Sequence, residues 1–286
     1  MSIGTRIGRA VRLTRQSLAI IGDDKSLLVL PMISGIAFFL VAAAFLAPVF
    51  ASEQFRTLLE GDTPKTEYIH YVYGFLFYLA AYTIITFFNA ALIHCVLVRL
   101  GGGRASVGEG IGFALARLPQ ILAWAAVSAT VGLVLNIIQQ RAGSAGRILA
   151  GLGGLAWSIA TYFAVPVLVA EGVGPVEAIK RSAAVMRRTW GESLVANFGV
   201  GILVTIIVVL AGLVSGLVAA AGAPQAVTLT VMTAMAAVIG LTVLVATTLG
   251  VILRAMLYDY AANGHIPPAF DAAELQSAFT PKHKAE

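Results

Sequence analysis

Long runs without a single acidic or basic residue set the pattern of this chain, and they exceed the length of helix or strand that an ordinary soluble core buries. A hydrocarbon layer about 30 Å thick needs about 20 apolar residues per helical crossing, so each charge-free run can be measured against that length. The first lies between Lys25 and Glu53 and contains LLVLPMISGIAFFLVAAAFLAPVF. The second runs from Tyr68 to Val98, with His70 and His94 as its only titratable side chains of intermediate pKa. The third lies between Arg117 and Arg141, the fourth between Arg147 and Glu171. The fifth, between Glu192 and Arg254, is interrupted by Ala221-Gly222-Ala223-Pro224, a turn signal that divides it into two crossings. Hydrocarbon offers the backbone no hydrogen-bond partner, so each crossing must be a helix. The expectation is an all-α polytopic membrane bundle, a single membrane domain with six transmembrane helices near residues 27–50, 71–98, 118–138, 148–170, 194–220 and 228–253, followed by a tail over 254–286.

Helical periodicity also marks segments outside these runs. Ile3, Ile7, Val11, Leu18 and Ile21 recur at helical spacing with Arg6, Arg9, Arg12 and Arg15 around them, which predicts an amphipathic surface helix over residues 1–25. After the fourth run, Gly172 and Gly174 can end one helix and Pro175 suits the first turn of the next. The apolar stripe of that next helix would be Val176, Ile179, Ala183, Met186 and Trp190, beside Lys180, Arg181, Arg187 and Arg188. A third surface helix is predicted from Ser106 to Arg117, with Val107, Ile111, Ala114 and Leu118 as its stripe and Pro119 at its boundary. The chain can be parsed as one unit used three times, starting near residues 3, 106 and 175: surface helix, span out, loop, span back. Any even-numbered bundle yields such hairpins by default.

Composition agrees with lipid as the solvent: 59% of residues are hydrophobic, 12% are charged and the mean hydropathy is +0.89. Lys and Arg then give the orientation, because they collect in cytoplasmic loops. With the N-terminus inside, fifteen of the 19 fall on the cytoplasmic side and only Arg56, Lys65, Arg141 and Arg147 on the other, which predicts both termini in the cytoplasm. Val49-Phe50-Ala51 resembles a signal-peptide cleavage site, but the basic and apolar stretches before it are too long for that pattern, so the first span is expected to be retained. Cys95 is the only cysteine, so no intrachain disulfide forms.

The segments DDKSLLVLPMISGIA (23–37), VPVLVAEGVGPVEAIKRSAAVMRRTWGE (165–192) and YAANGHIPPAFDAAELQSAF (260–279) resemble a prokaryotic family of six-span integral membrane proteins filed as a domain of unknown function. A broader superfamily, including the membrane domain attached to some glycerophosphodiester phosphodiesterases, shares an acidic residue, a basic amphipathic helix with Arg-Ser, and then a span. The positions that carry this pattern are Glu171, Arg181, Ser182, Arg187, Arg188 and Trp190. The resemblance covers nearly the whole chain and implies a multi-pass protein of the cell inner membrane. It brings no catalytic or binding residues with it.

Candidate chemistry is sparse. Gly103 to Gly108 has the glycine spacing of a phosphate-binding loop, yet Glu109 stands where the lysine belongs and Gly110 where the hydroxyl belongs. His70, His94, His265 and His283 lack the spacing of a zinc helix, so neither metal nor cofactor is implied. His94 and Cys95 are neighbours, which on a helix point about 100° apart and do not form a catalytic pair. No span holds an acidic or basic residue, the usual mark of ion-coupled transport. The intramembrane polar residues Tyr82, Thr86, Asn89, His94 and Asn136 remain, and they are expected to hydrogen-bond between helices, with a solute path as the alternative. Lys180, Arg181, Arg187 and Arg188 are candidates for lipid headgroups, at about 1 kcal/mol each near an anionic surface. The expected role is therefore non-enzymatic and structural, in assembly or in lipid interaction, with a small transporter or pore for an uncharged or weakly polar solute as the alternative. The expected partners are membrane lipids, chiefly anionic, and a second copy or another membrane protein, with no role for nucleic acid.

Overall fold

The structure is a computed structural model that describes residue 22 and residues 25–60, 64–141 and 143–264. The surface helix expected over 1–25, apart from its end, and the tail beyond Gly264 lie outside the described residues. Among those described, a 3-10 turn at Lys25–Leu28 and nine α-helices follow one another, with no strand. The helices are α1 (Val29–Ala51), α2 (Glu53–Glu60), α3 (Pro64–Leu100), α4 (Val107–Ala116), α5 (Leu118–Arg141), α6 (Gly143–Ala160), α7 (Ala164–Glu171), α8 (Pro175–Ala220) and α9 (Gln225–Asn263). Five stretches are long and apolar enough to cross a membrane: Ser26–Ala51, Tyr68–Leu100, Leu118–Arg141, Gly143–Glu171 and Gln225–Asn263. Val204–Ala220, inside α8, is a shorter apolar stretch.

Four boundaries differ from those the sequence led us to expect. The connection after the first span contains α2, whose start is capped by Ser52: its Oγ accepts from the Phe55 N–H at 3.2 Å. The expected fourth span, 148–170, is two helices, because Pro166 has no N–H to offer the Tyr162 carbonyl, and the chain turns over residues 161–163 before α7 begins. The expected gap between a surface helix ending near residue 190 and a span beginning at 194 is absent, and 175–220 is one helix. The segment between those positions holds Gly191 but no proline, and an α-helix absorbs a lone glycine at a cost of only about 1 kcal/mol. Finally, α9 continues to Asn263, past the expected end at 253.

The chain forms two compact units, one spanning Val29–Arg187 and the other comprising, among the described residues, 25–28 and 188–264. In the first unit α3 is the hub: α1, α2, α4, α5 and α7 all pack on it, while α6 packs on α5. Burial along α3 is uneven. Tyr68, Ile69, Val72 and Leu76 are exposed near its start, whereas Ala90 to Ile93, Cys95 and Val96 are buried near its end, beside α4. The same gradient separates α6, with Ile148, Leu149, Leu152 and Leu155 exposed, from α7, with Val167, Leu168 and Val169 buried. The core of this unit lies at the end that carries Arg99, Arg104 and Arg117, hereafter the basic end. At the opposite end, the Tyr73 hydroxyl donates to the Phe45 carbonyl, the Tyr73 ring lies 5.2 Å from that of Phe45 and 5.3 Å from that of Phe55, and the Phe45 and Phe77 rings are 5.5 Å apart. Within the second unit α9 changes character along its length: Val227, Leu229, Met232, Val238 and Leu241 are exposed, while Thr248 to Leu253 are buried.

Small residues set the closest approaches. A Cβ on Gly110 of α4 would lie 2.7 Å from Cys95 Sγ and 2.9 Å from the Ala91 carbonyl oxygen on α3. The thiol could move, but the carbonyl belongs to a helix. Gly110→Ala should therefore lower stability by about 1–3 kcal/mol, the usual cost of overpacking. Gly112→Ala, on the same helix with nothing within 4 Å, should be neutral or mildly stabilising through helix propensity. Thermal unfolding of the two variants in detergent reads the difference.

Candidate functional site at the basic end

The site is built from two corners. At the first, α3 ends in the turn Gly101-Gly102, Gly102 having φ +82°, and α4 starts from Ser106 with a complete capping box. Ser106 Oγ accepts from the Glu109 N–H at 3.2 Å, and Glu109 Oε2 accepts from the Ser106 N–H at 2.6 Å. This explains why the phosphate-loop spacing at 103–110 carries an acid and a glycine in place of lysine and hydroxyl. Glu109 caps a helix, and Gly110 admits α3. The Cys95 thiol donates to the Ser106 carbonyl at 3.6 Å. The His94 ring lies face to face with Phe113, centroids 4.0 Å apart and planes 8° apart. The Arg117 guanidinium sits over the other ring contact of Phe113, its carbon 5.6 Å from the centroid.

The second corner joins α7 to α8. Gly172 closes α7 in the left-handed region at φ +66°, and its N–H donates to the Leu168 carbonyl. A Cβ there would be strained by the positive φ and would have to displace the Arg117 guanidinium, which occupies the space. Arg117 thus places its charge at the carbonyl end of α7, where the helix dipole favours a cation, and links the two corners. From α8, Arg181 pairs with Glu171 and, at 2.9 Å, with Glu177. Ser182, fully buried, offers Oγ to the Phe163 N–H at 3.0 Å. That hydroxyl completes the hydrogen bonding of the break before α7. The Thr161 N–H donates to Trp157 O, that of Tyr162 to Ile159 O and that of Ala164 to Thr161 O, so among residues 161–164 only the Phe163 N–H needed an outside partner.

The residues singled out from sequence fall into three groups. Arg181 is engaged by two carboxylates, so it is not a free headgroup ligand, whereas Lys180 and Arg187 are exposed. The side chain of Arg188 lies outside the described residues. The face of α8 that packs inward is Ala178, Ser182 and Met186, while Val176, expected in the apolar stripe of a surface helix, is exposed. Of the polar residues on α3, Tyr82 packs near Gly132 of α5 and stacks with Tyr78 at 6.3 Å, Thr86 is buried, and His94 belongs to the first corner. Asn89 is half-buried and, among the described residues, has no hydrogen-bond partner. Asn136 accepts from Gln140 Nε2 at 2.8 Å on its own helix, so it ties no two helices together. Sequence reasoning missed Pro166, Ser182 as a cap and Arg117 as a link. The proline was visible, and the cap follows only once the break is recognised.

Residues 68–267 match a family defined by its sequence alone. The chain belongs to the family of unknown function DUF6159. Both corners and every helix from α4 to α9 lie inside the matched region, so the pairing of Arg181 with Glu171 and of Ser182 with Phe163 belongs to the part of the chain that DUF6159 describes. No curated protein and no solved structure matches the chain.

Removing the cap should be costly. Ser182→Ala leaves the buried Phe163 N–H without an acceptor and should lower stability by about 1–3 kcal/mol. Gly172→Ala should do as much, through the left-handed backbone and the displaced Arg117. Lys180→Ala, at an exposed position of the same hairpin, should fall within about 0.5 kcal/mol of the parent. Unfolding in detergent, followed by loss of helical circular dichroism, measures all three.

Proposed function

We propose that this protein is a six-span, non-enzymatic component of a prokaryotic inner membrane, with both termini in the cytoplasm, acting in membrane structure or assembly through anionic lipid. The sixth span in this reading is Val204–Ala220 together with the residues of α8 before it. The observation that supports the role is how the polar groups of the basic end are used. Arg117 is spent on Gly172 and Phe113, Arg181 on Glu171 and Glu177, and Ser182 on Phe163, so they build the corner itself. Outside the Arg181 pairs, the hairpin exposes the cations Lys180 and Arg187, beside exposed Val176. A basic surface with an apolar member suits an anionic bilayer face.

The transporter reading keeps one observation in its favour. Asn89 carries an amide in a span without the interhelical hydrogen bond that structural glue would make. If Asn89 only fills space, Asn89→Leu leaves both stability and any solute flux into proteoliposomes unchanged. A stable Asn89→Leu protein that has lost a measurable flux would make transport the leading function.

Orientation is tested with single cysteines. In intact cells an impermeant maleimide should label Ser144→Cys, while Ala184→Cys should label only after permeabilisation. Both positions are exposed, so access alone decides the result. The opposite pattern would place the basic end outside and remove the cytoplasmic reading.

A further inference from the structure

The α7–α8 hairpin has a fixed register, and that register decides where a bilayer can end. Phe163 stands nine residues before Gly172, and Ser182 stands eight residues after Gly174. Two helices whose points at equal distance from a corner touch, here at 3.0 Å, run antiparallel. Arg187, five residues beyond Ser182, is therefore about 7 Å past the level of Phe163, near the level of Trp157 on α6. Trp157 is stacked on Trp124 of α5 with centroids 6.0 Å apart.

Two placements of the inner hydrocarbon boundary are open. If it lies at Gly172, the natural end of the charge-free run, then Arg187 is buried about 18 Å deep, since twelve residues of helix separate it from Pro175. Lys180 and the Arg181 pairs are then also inside, and Arg187 is exposed on its helix with hydrocarbon around it. If the boundary lies at the break after Ala160, Lys180 and the Arg181 pairs leave the hydrocarbon, and Arg187 sits about one helical turn inside, within reach of its edge. The cost moves to Arg147, on the exposed side of the first turns of α6, which then sits about 10 Å inside the far boundary. A shallow arginine can extend its guanidinium to the interface and thin the bilayer locally, whereas one near the midplane cannot reach either face.

We infer that the inner boundary of the hydrocarbon crosses the chain at the break between α6 and α7, so that the hairpin of α7 and the start of α8 stands in water, with the Arg187 backbone about one helical turn inside the boundary and its guanidinium reaching back to the phosphates of anionic lipid, and Lys180 about 10 Å farther out. This rests on the membrane reading above and narrows it. Of Lys180 and Arg187, the exposed cations outside the Arg181 pairs, one touches lipid and the other is free for solvent. The buried faces of α7 and of Ala178 and Ser182 are then a small protein core outside the membrane.

The test uses the full chain in nanodiscs, where both faces are open to a charged maleimide and orientation does not matter. Cys95 is retained, and its own labelling is read from the unsubstituted protein. Single cysteines replace Ala170 on α7, Ala184 on α8, Gly174 at the corner and Leu152 on α6, all exposed positions. Because the thiolate in water is the reacting species, Ala170→Cys and Ala184→Cys should label at rates within about tenfold of Gly174→Cys and at least about 100-fold faster than Leu152→Cys. Rates at Ala170 and Ala184 as slow as at Leu152 would move the boundary to Gly172 and overturn the inference. Fast labelling at all four would show that α6 is not in hydrocarbon either, and would overturn the membrane reading with it. The lipid arm compares nanodiscs of neutral lipid with nanodiscs containing phosphatidylglycerol. Arg187→Gln should abolish the rise in melting temperature that phosphatidylglycerol confers on the parent, and Lys180→Gln should retain it. The reverse pattern, or a rise that survives in both variants, would overturn the assignment of Arg187 to the phosphate level.

Discussion

One backbone amide governs the arrangement of the basic end. Pro166 ends α6, and the turn that follows exposes the Phe163 N–H with no carbonyl of its own chain segment to meet it. A buried N–H without an acceptor costs about 1–3 kcal/mol, comparable to a sizeable share of a domain's net stability. Ser182 Oγ supplies the acceptor from α8, and in doing so it fixes the register of α7 against α8. Other features follow from that register. Arg181, the preceding residue, falls beside Glu171 and Glu177, and Met186, one turn on, enters the buried face. A break in a helix, usually a weakness, here becomes the point from which a hairpin is aligned.

Both corners depend on absent side chains. Gly110 lets α4 lie on Ala91 and Cys95, and Gly172 leaves room for the Arg117 guanidinium. Dispersion and close packing, with no hydrophobic drive between helices in lipid, reward this kind of contact. It accounts for where the core sits in the unit from Val29 to Arg187: at the basic end small residues admit neighbours, while at the other end large apolar side chains such as Phe39, Leu40 and Phe50 are exposed. Those side chains need no protein partner when their solvent is hydrocarbon.

How much of this could be read in advance varies with the physics involved. Five of the expected crossings coincide with long apolar helices, because the length and charge rules act on each segment alone. The capped helix after Ser106 was also visible, since its signature is local. The break at 161–163 was missed, although Pro166 stood in plain sight, because a charge-free run is counted in residues and takes no account of a missing N–H. The apolar stripe of α8 was read as Val176, Ile179, Ala183, Met186 and Trp190, a face for the inner leaflet, and Met186 of that stripe packs against protein instead. The packed face is Ala178, Ser182 and Met186, chosen by close approach and by one hydrogen bond to a residue 19 positions away. Arg181 looked like a free cation for the same reason: Glu171 and Glu177 become its neighbours only after the chain turns at Gly172. Asn89 and Asn136 resembled interhelical glue by type and position, and neither makes a bond between helices.

The pairing of Arg181 has a consequence for the order of events during biogenesis. Orientation is decided while a loop is still unfolded, when basic residues count and acidic ones contribute little. In the orientation proposed above, Arg181 is at that moment one of the retained positive charges that hold the loop on the side of synthesis. Later, when α7 and α8 close, the same guanidinium is paired with Glu171 and Glu177 at the surface of the corner. A substitution to glutamine would therefore act at two separate times, first on the fidelity of insertion and afterwards on the closure of the corner. Lysine would preserve the earlier role and forfeit the two-sided grip that the planar guanidinium gives the later one.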